Sequence, residues 1–245
     1  MEETASHPQE ASADQMFPLQ TGRVTSSIPR GSSAENTTPV PKHQADTPAT
    51  WVYPSEQQYY NAIKKKGWKG VDPSTIPYVL AVHNSVNEAS WSKIIKYEAD
   101  THPAPPGTSF LPPRLVRFLG RPTALSPKAF VNTYLLGYTR PFDRHDWVVE
   151  RTRPVYPHER LVAKVTGEDL PASGTVREET RFVIDFYTGQ GGTGAGGGGA
   201  GGGGDNVNMF LDVRPALDSF TNFLEKFGLG SGDGAGEGKG GTSNA

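Results

Sequence analysis

The amino-acid sequence predicts a mixed α+β fold in a single domain, with helices first, a small antiparallel sheet later and a helix at the C-terminal end. Apolar residues recur at helical spacing before residue 100, whereas they alternate with polar residues from Arg114 onward. Polar and glycine-rich ends leave roughly 170 residues for a folded core, which is enough for one domain. The predicted boundaries are a disordered tail over residues 1–50, the folded domain over 51–227 and a Gly-rich disordered tail over 228–245.

Capping signals mark where the first and last helices begin. Ser55 and Gln58 have capping-box spacing and open a predicted helix over about residues 55–66. Pro215 starts the last predicted helix. Its apolar residues recur at helical spacing and predict one buried face, formed by Leu217, Phe220, Leu224 and Phe227.

Two further helices are predicted between these ends. Asp72-Pro73 is a typical helix start, and Ser85 with Glu88 repeats the capping-box spacing. The pattern therefore predicts one helix that ends near His83 and another that opens at Ser85. In this interpretation His83 lies at a helix–helix junction.

Alternating apolar residues predict the strands of the second half. The predicted strands are 115–119, 131–138, 146–151, 182–186 and 209–213, of which the last two form a hairpin. Two segments, 152–179 and 189–204, are predicted to be loop insertions. Twelve glycines fall between Gly189 and Gly204 without a phosphate-loop pattern, so a flexible connection is favoured over a nucleotide site.

Composition excludes several functional classes. A formal net charge of −2 and the absence of a basic, aromatic-interleaved stripe argue against nucleic-acid binding. No run of about 18 apolar residues predicts a membrane-spanning helix, so any membrane association is expected to be peripheral. The chain has no cysteine, which excludes disulfides, zinc–thiolate sites and a cysteine nucleophile. The acidic start of the chain does not look like a secretory or transit peptide.

Residues 142–147 form the segment richest in chemistry. The sequence Phe142-Asp143-Arg144-His145-Asp146-Trp147 places a histidine between carboxylates and brackets it with aromatic rings. A histidine in this setting can hold a fixed tautomer, relay a proton or bind a metal. A buried ion network would show the same residues, so this segment alone leaves both interpretations open.

Four segments in order resemble one known family. They are Trp51-Val52-Tyr53-Pro54-Ser55-Glu56-Gln57, Val82-His83-Asn84 followed by Glu88 and Trp91, residues 142–147, and Leu211-Asp212-Val213-Arg214-Pro215-Ala216-Leu217-Asp218. Together they resemble the holocytochrome c synthases, also called cytochrome c haem lyases. The likeness covers most of residues 51–227. It implies that the protein joins haem, as a reduced bound substrate, to the Cys-X-X-Cys-His motif of apocytochrome c or c1 through two thioether bonds.

The resemblance also implies roles for individual residues. His83 matches the position at which the family binds the haem iron, and the histidine of the apocytochrome motif would supply the second axial ligand. Glu88 has two open roles, because its spacing from Ser85 suits a helix cap whereas its place near His83 suits an orienting group. His145 could be a second haem ligand, an acid or base near the thiol or a propionate, or part of a structural network. We expect a supporting role for it rather than iron ligation.

Further residues are expected to line the haem pocket. Arg144 and Arg151 suit the haem propionates, because a guanidinium binds a carboxylate through two hydrogen bonds. The residues expected to complete the pocket are Asn84, Asp146 and aromatic residues drawn from Trp51, Tyr53, Tyr59, Trp68 and Trp91. Trp51 and Tyr53 are favoured among the aromatics because they lie in a matching segment.

Two other functions remain open from sequence. The first is a haem-binding carrier that has the pocket but no turnover, and the second is an interaction scaffold that uses the last helix. Members of the family work in the mitochondrial intermembrane space, and the resemblance implies that location here, with peripheral association with the inner membrane.

Overall fold

The computed structural model describes residues 9–12, 15–31, 49–68, 70–104, 110–167, 169–189 and 209–216. The described residues up to Pro215 form one compact α+β unit, which confirms the predicted fold class. The predicted disordered tail over residues 1–50 is wrong in part, because Thr25–Pro29 form a strand whose Ile28 is buried in the core. In chain order its elements are β1 (Thr25–Pro29), β2 (Thr50–Val52), α1 (Glu56–Lys65), a 3-10 turn (Pro73–Thr75), α2 (Ile76–Thr101), β3 (Arg114–Gly120), α3 (Pro127–Tyr134), β4 (Asp143–Pro154), α4 (Pro157–Thr166), β5 (Thr175–Thr188) and β6 (Met209–Pro215).

Two antiparallel sheets organise the unit. The larger has the strand order β3-β4-β5-β6, and the smaller pairs β1 with β2. The predicted hairpin is confirmed, because β5 and β6 are antiparallel neighbours with Ile184 opposite Val213. The smaller sheet is attached to the larger one at Leu115, whose carbonyl accepts hydrogen bonds from the Trp51 indole at 3.0 Å and from the Gly31 backbone at 2.8 Å.

The hydrophobic core lies between α2 and one face of the larger sheet. Side chains alternate along β4, so Trp147 and Val149 face α2 whereas Arg144 and Asp146 face the other side. Burial of each large apolar side chain contributes about 1.5–3 kcal/mol, which makes this layer the main source of stability. The buried members are Ile28, Trp91, Ile94, Leu115, Trp147, Val149, Phe182, Ile184, Phe186 and Leu211.

Helix α1 begins and ends as predicted, but α2 does not break. The Ser55 side chain accepts from the Gln58 backbone, and the Gln58 side chain accepts from the Ser55 backbone, which completes the capping box. The predicted junction at residues 83–85 is wrong, because α2 continues from Ile76 to Thr101. The Ser85 hydroxyl donates to the Ala81 carbonyl at 2.9 Å instead of capping a new helix, so its spacing from Glu88 is not a helix start.

Three predictions for the second half have different outcomes. The strand predicted over 131–138 is wrong, because Ser126 accepts from the Ala129 backbone and Pro127 follows, and together they start α3. The segment 152–179 is not a loop: both strands extend into it and α4 lies between them. The predicted last helix, the Gly-rich segment 190–204 and residues 228–245 lie outside the described residues. In the part of the chain that the structure describes, no helix combines the length and apolar character needed to cross a membrane.

Candidate functional site

A cleft of about 780 Å³ lies between four elements. Its walls come from the end of α1, the first turns of α2, the end of β3 and the start of β4. Its volume lies in the range of small-molecule and cofactor sites. Most of its wall is apolar and aromatic, and its ionisable groups are few. The principal lining residues are Tyr59, Ile63, Trp68, Ile76, Val79, His83, Phe118 and His145.

The two histidines singled out by the sequence meet in this cleft. Ile76, Leu80 and His83 follow one another at spacings of four and three along α2, so they share one face of the helix, on which Ile76 packs against Tyr60 of α1 and His83 lines the cleft. His145 lies on β4 on the same sheet face as Trp147, and β4 carries it to the cleft. The centres of the His83 and His145 rings are 6.3 Å apart.

His83 presents an uncharged imidazole to the cleft. Burial, followed by the charge of His145, lowers the pKa of His83 to about 4, so its imidazole is neutral at physiological pH. Its Nδ1 lies 3.4 Å from the side-chain nitrogen of Asn87. Within the described part of the chain nothing is hydrogen-bonded to Nε2, which leaves that nitrogen for a ligand in the cleft. A neutral imidazole with a free nitrogen is what a haem iron binds.

His145 is held by a carboxylate. Its Nε2 lies 3.2 Å from Oδ2 of Asp143, and its ring packs edge-on against Phe186 with centres 4.8 Å apart. Its Nδ1 is buried without a hydrogen-bond partner among the described residues. Neither nitrogen is therefore presented to an iron in this arrangement. The pairing favours the supporting role expected from sequence.

Asp143 is the acidic partner in this pair. Burial acts to raise the pKa of Asp143, but its hydrogen bond to His145, the charge of His145 and the Arg144 backbone N–H together hold that pKa below its usual range. Asp143 is consequently a carboxylate that can stabilise a protonated imidazole. Asp143 and His145 form an acid–base pair that lines the cleft at the start of β4.

Most of the other residues expected in the pocket lie outside it. Trp51 packs edge-on against Phe118 with ring centres 5.3 Å apart, Tyr53 is buried beneath α2, and Trp91 belongs to the core. Asn84 is half-buried on α2 and is not among the lining residues. Among the aromatic candidates, Tyr59 and Trp68 line the cleft, and Phe118 was missed. Tyr59 could have been found from its position on the inner face of α1.

Arg144, Asp146 and Arg151 are also used elsewhere. Arg144 forms two hydrogen bonds with Asp146, at 2.9 and 3.1 Å, on the sheet face that points away from the cleft. Arg151 lies on the α2 side of the sheet but is 2.7 Å from Glu178 and 3.9 Å from Glu98. The structure therefore does not bring either guanidinium to the cleft.

Glu88 neither caps a helix nor touches His83. Its carboxylate accepts hydrogen bonds from the Ser26 hydroxyl at 2.7 Å, from the Tyr53 hydroxyl at 2.8 Å and from Ser27. Burial acts to raise the pKa of Glu88, but these hydrogen bonds outweigh it and keep that pKa low. Tyr53 is in turn hydrogen-bonded to Asn87, which neighbours His83. Glu88 is thus connected to His83 through two intermediate side chains.

No group of three or more histidine, cysteine, aspartate or glutamate side chains in the described residues is arranged to hold a bare metal ion. A haem iron has a different requirement, because the macrocycle supplies the equatorial nitrogens and the protein supplies one or two axial ligands. One accessible, neutral imidazole above an aromatic cleft meets that requirement.

Comparison with known proteins identifies a family for the chain. The family described as cytochrome c/c1 heme lyase matches residues 4–229. Holocytochrome c-type synthase of Bos taurus is 36% identical over 214 residues, which cover 85% of this chain and 58% of the bovine protein. The putative holocytochrome-c1 synthase of Chaetomium thermophilum is 36% identical over 82% of this chain and 60% of its own length.

A yeast relative is more distant. Holocytochrome-c synthase of Saccharomyces cerevisiae is 31% identical over 86% of this chain and 68% of its own length. The chain spans about three-fifths of the length of the first relatives it matches. No solved structure matches it.

Proposed function

Because the chain belongs to the cytochrome c/c1 heme lyase family, we propose that it attaches haem covalently to an apocytochrome of the c or c1 type. The reaction would join the two cysteines of a Cys-X-X-Cys-His motif to the two haem vinyl groups. The observation that carries the proposal is the neutral, accessible imidazole of His83 in an aromatic cleft of cofactor size.

The bond-forming step adds a thiol across a vinyl double bond. The sulfur bonds to the vinyl carbon next to the ring, and the proton ends on the outer carbon, so no group leaves and no electrons are exchanged. The difficulty is positional, since each sulfur must approach one vinyl group on one side of the ring. An enzyme for this reaction has to fix the haem in orientation and depth, and it needs no nucleophile of its own.

His83 would fix the depth of the haem by binding its iron. Its place inside an unbroken helix and its contact with Asn87 restrain the ring. Because its pKa is low, protons do not compete with the iron for the imidazole at neutral pH. The histidine of the apocytochrome motif would bind the opposite side of the iron. That arrangement would place the two neighbouring cysteines beside the macrocycle.

Asp143 and His145 would handle the thiol proton. A thiolate is the reactive form of cysteine, and the Asp143 carboxylate, which lines the cleft and is oriented by His145, would accept the thiol proton. We assign His145 this supporting role and not iron ligation, because its Nε2 is held by Asp143. Reduced haem is the substrate form proposed.

The proposed cellular location is the one that the family resemblance implies. We place the reaction in the mitochondrial intermembrane space, with the protein associated peripherally with the inner membrane. A haem carrier without turnover is the second candidate, because the same cleft and the same ligand would serve it. The last helix, on which a scaffold function would depend, lies outside the described residues.

Co-expression of the full chain with apocytochrome c tests these alternatives. The product is separated on a gel after acid-acetone extraction, and covalent haem is detected by staining. Haem that stays on the cytochrome supports the lyase, extractable haem on this protein alone supports the carrier, and the absence of haem from both supports neither.

Histidine variants test the assigned roles in the same experiment. His83→Ala should lose most copurified haem and product, and added imidazole should partly restore the absorption spectrum by occupying the vacated coordination site. His158→Ala is the matched control, because His158 is exposed on α4 and outside the cleft. A normal low-spin spectrum in His83→Ala together with an empty His145→Ala would exchange the two assigned roles.

A further inference from the structure

The cleft is electrically asymmetric. Among its described lining residues, Lys66 is the only lysine or arginine, and it lies at the end of α1. Asp143, the carboxylate among those lining residues, comes from β4 and is paired with His145, and the His83 ring lies between the two elements, 6.2 Å from the Tyr59 ring of α1 and 6.3 Å from the His145 ring. An anionic group that enters the cleft is therefore attracted toward α1 and repelled from the start of β4.

Lys66 also has no competing side-chain partner. It is exposed, and within the described part of the chain its ammonium group forms no ion pair, whereas Lys64 lies over the Tyr60 ring at 5.6 Å. Basic residues in the last turn of a helix commonly stabilise the helix dipole, and this accounts for Lys64 and Lys65. Helix stabilisation alone does not require that Lys66 line a cavity.

The cleft needs such a cation if its ligand is haem. Haem carries two propionates on one edge, and its vinyl groups are on the two pyrrole rings that lie opposite the propionate-bearing rings. Arg144 and Arg151, which sequence favoured for the propionates, are bonded to Asp146 and Glu178. Of the cations considered for this role, Lys66 is the one that reaches the cleft.

We propose that Lys66 binds the carboxylates of the porphyrin and so sets its orientation in the cleft. The propionate edge then faces the end of α1, and the vinyl edge faces the wall that carries Asp143 and His145. This inference rests on the proposed function, because it assigns one recognition contact of that substrate. It gives the two charged parts of the cleft separate tasks, with the lysine of α1 at the anchoring edge of the porphyrin and the acid–base pair of β4 at the reacting edge.

The contact is tested by comparing how two forms of this protein bind two ligands. Wild type and Lys66→Gln are titrated with haem and with haem dimethyl ester, whose propionates carry no charge, and binding is followed by absorbance. Lys66→Gln should weaken haem binding by about threefold, the size typical of one exposed ion pair, and leave binding of the ester unchanged. Lys66→Glu should weaken haem binding further, because it replaces attraction with repulsion.

Lys96→Gln is the matched control. Lys96 is an exposed lysine of α2 that pairs with Asp100 and lies outside the cleft, so its loss should change neither titration. An equal loss for haem and ester in Lys66→Gln, or no loss for either, overturns the proposal. If wild type binds neither ligand, or if His83→Ala binds both as wild type does, the failure lies with the proposed function instead.

Discussion

At the scale of single residues, Glu88 shows how sequence spacing can identify an important side chain and still misjudge its contacts. Ser85 and Glu88 have the spacing of a cap, but the partners of the carboxylate come from Ser26, Ser27 and Tyr53. Those partners lie far away along the chain, so local spacing could not reveal them. The carboxylate joins the small sheet to α2 and, through Tyr53 and Asn87, reaches His83.

Glu88→Gln tests this connection. The amide keeps one acceptor oxygen but presents N–H groups to hydroxyls that now donate to the carboxylate, so we expect the free energy of unfolding to fall by about 1–2 kcal/mol. Haem attachment should fall with it, because the support of His83 is weakened. Unfolding is measured by chemical denaturation, and attachment by haem staining of co-expressed cytochrome.

Two companion variants separate this effect from loss of charge alone. Asp100→Asn removes a surface carboxylate of α2 that pairs only with Lys96 among the contacts described, and should change stability by no more than about 0.5 kcal/mol. Tyr53→Phe combined with Glu88→Gln should cost less than the sum of the two single changes, because they share one hydrogen bond. Additive losses would show that Glu88 and Tyr53 act independently.

At the scale of elements, the sequence predicted the strands better than the helix boundaries in the second half. Alternation identified β3, β4, β5 and β6, because each strand of the larger sheet has one face in the core. Residues 131–138 looked extended because they include β-branched and aromatic side chains. The helix cap at Ser126 and Pro127 makes this segment begin as a helix, and that cap lies before residue 131, outside the alternating pattern.

Helix α2 offers a direct test of its continuity. In the two-helix prediction Ser85 is a cap, where proline would be tolerated. In the unbroken helix, Ser85→Pro removes an interior N–H and clashes with the Ala81 carbonyl, so it should destabilise the protein by about 3 kcal/mol or more. Ser85→Ala, which removes only an exposed hydroxyl, should cost no more than about 0.5 kcal/mol.

The same pair of variants reports on the site. Because His83 lies half a turn before residue 85, Ser85→Pro should also reduce haem binding, as followed by absorbance, whereas Ser85→Ala should not. Equal stability of the two variants in chemical denaturation would restore the helix junction that the sequence suggested.

At the scale of the whole molecule, the two faces of the larger sheet have different roles. The face toward α2 supplies the core and, at its edge, the cleft with His145. The opposite face carries a network in which Asp146 is bonded to Arg144, Arg121 and Arg181, and Asp185 to Arg214. Removing one member of such a buried network would leave an uncompensated charge, which is destabilising.

This division explains which parts of the site the sequence could predict. His83 and His145 each lie in a segment that resembles the family, and the structure brings both to one cavity. Residues 142–147 were treated as one cluster, although the two-residue period of a strand sends Arg144 and Asp146 to the far face. Trp51, Tyr53 and Trp91 lie outside the cleft, because long-range packing and not local pattern determines which rings enter the core.

The burial of His83 also makes stability depend on pH. Folding lowers the pKa of His83 from 6.5 to about 4, and burial likewise lowers the pKa of His102 to about 4. Between those values the unfolded chain binds more protons than the folded protein, so stability is complete above pH 6.5 and declines as the pH falls toward 4. Carboxylates with lowered pKa values, such as Asp143, add their own losses below this window.

For His83 the expected loss between pH 7.5 and pH 5 is about 2 kcal/mol, with a smaller addition from His102 because that ring is partly exposed. Chemical denaturation across this range measures it. His83→Gln should flatten the decline because glutamine does not titrate, whereas His158→Gln, on the exposed face of α4, should not. A decline of unchanged slope in His83→Gln would mean that His83 does not resist protonation in the folded protein. The imidazole would then be charged in mildly acidic solution and unavailable to iron, and the assignment of His83 as the haem ligand would lose its electrostatic basis.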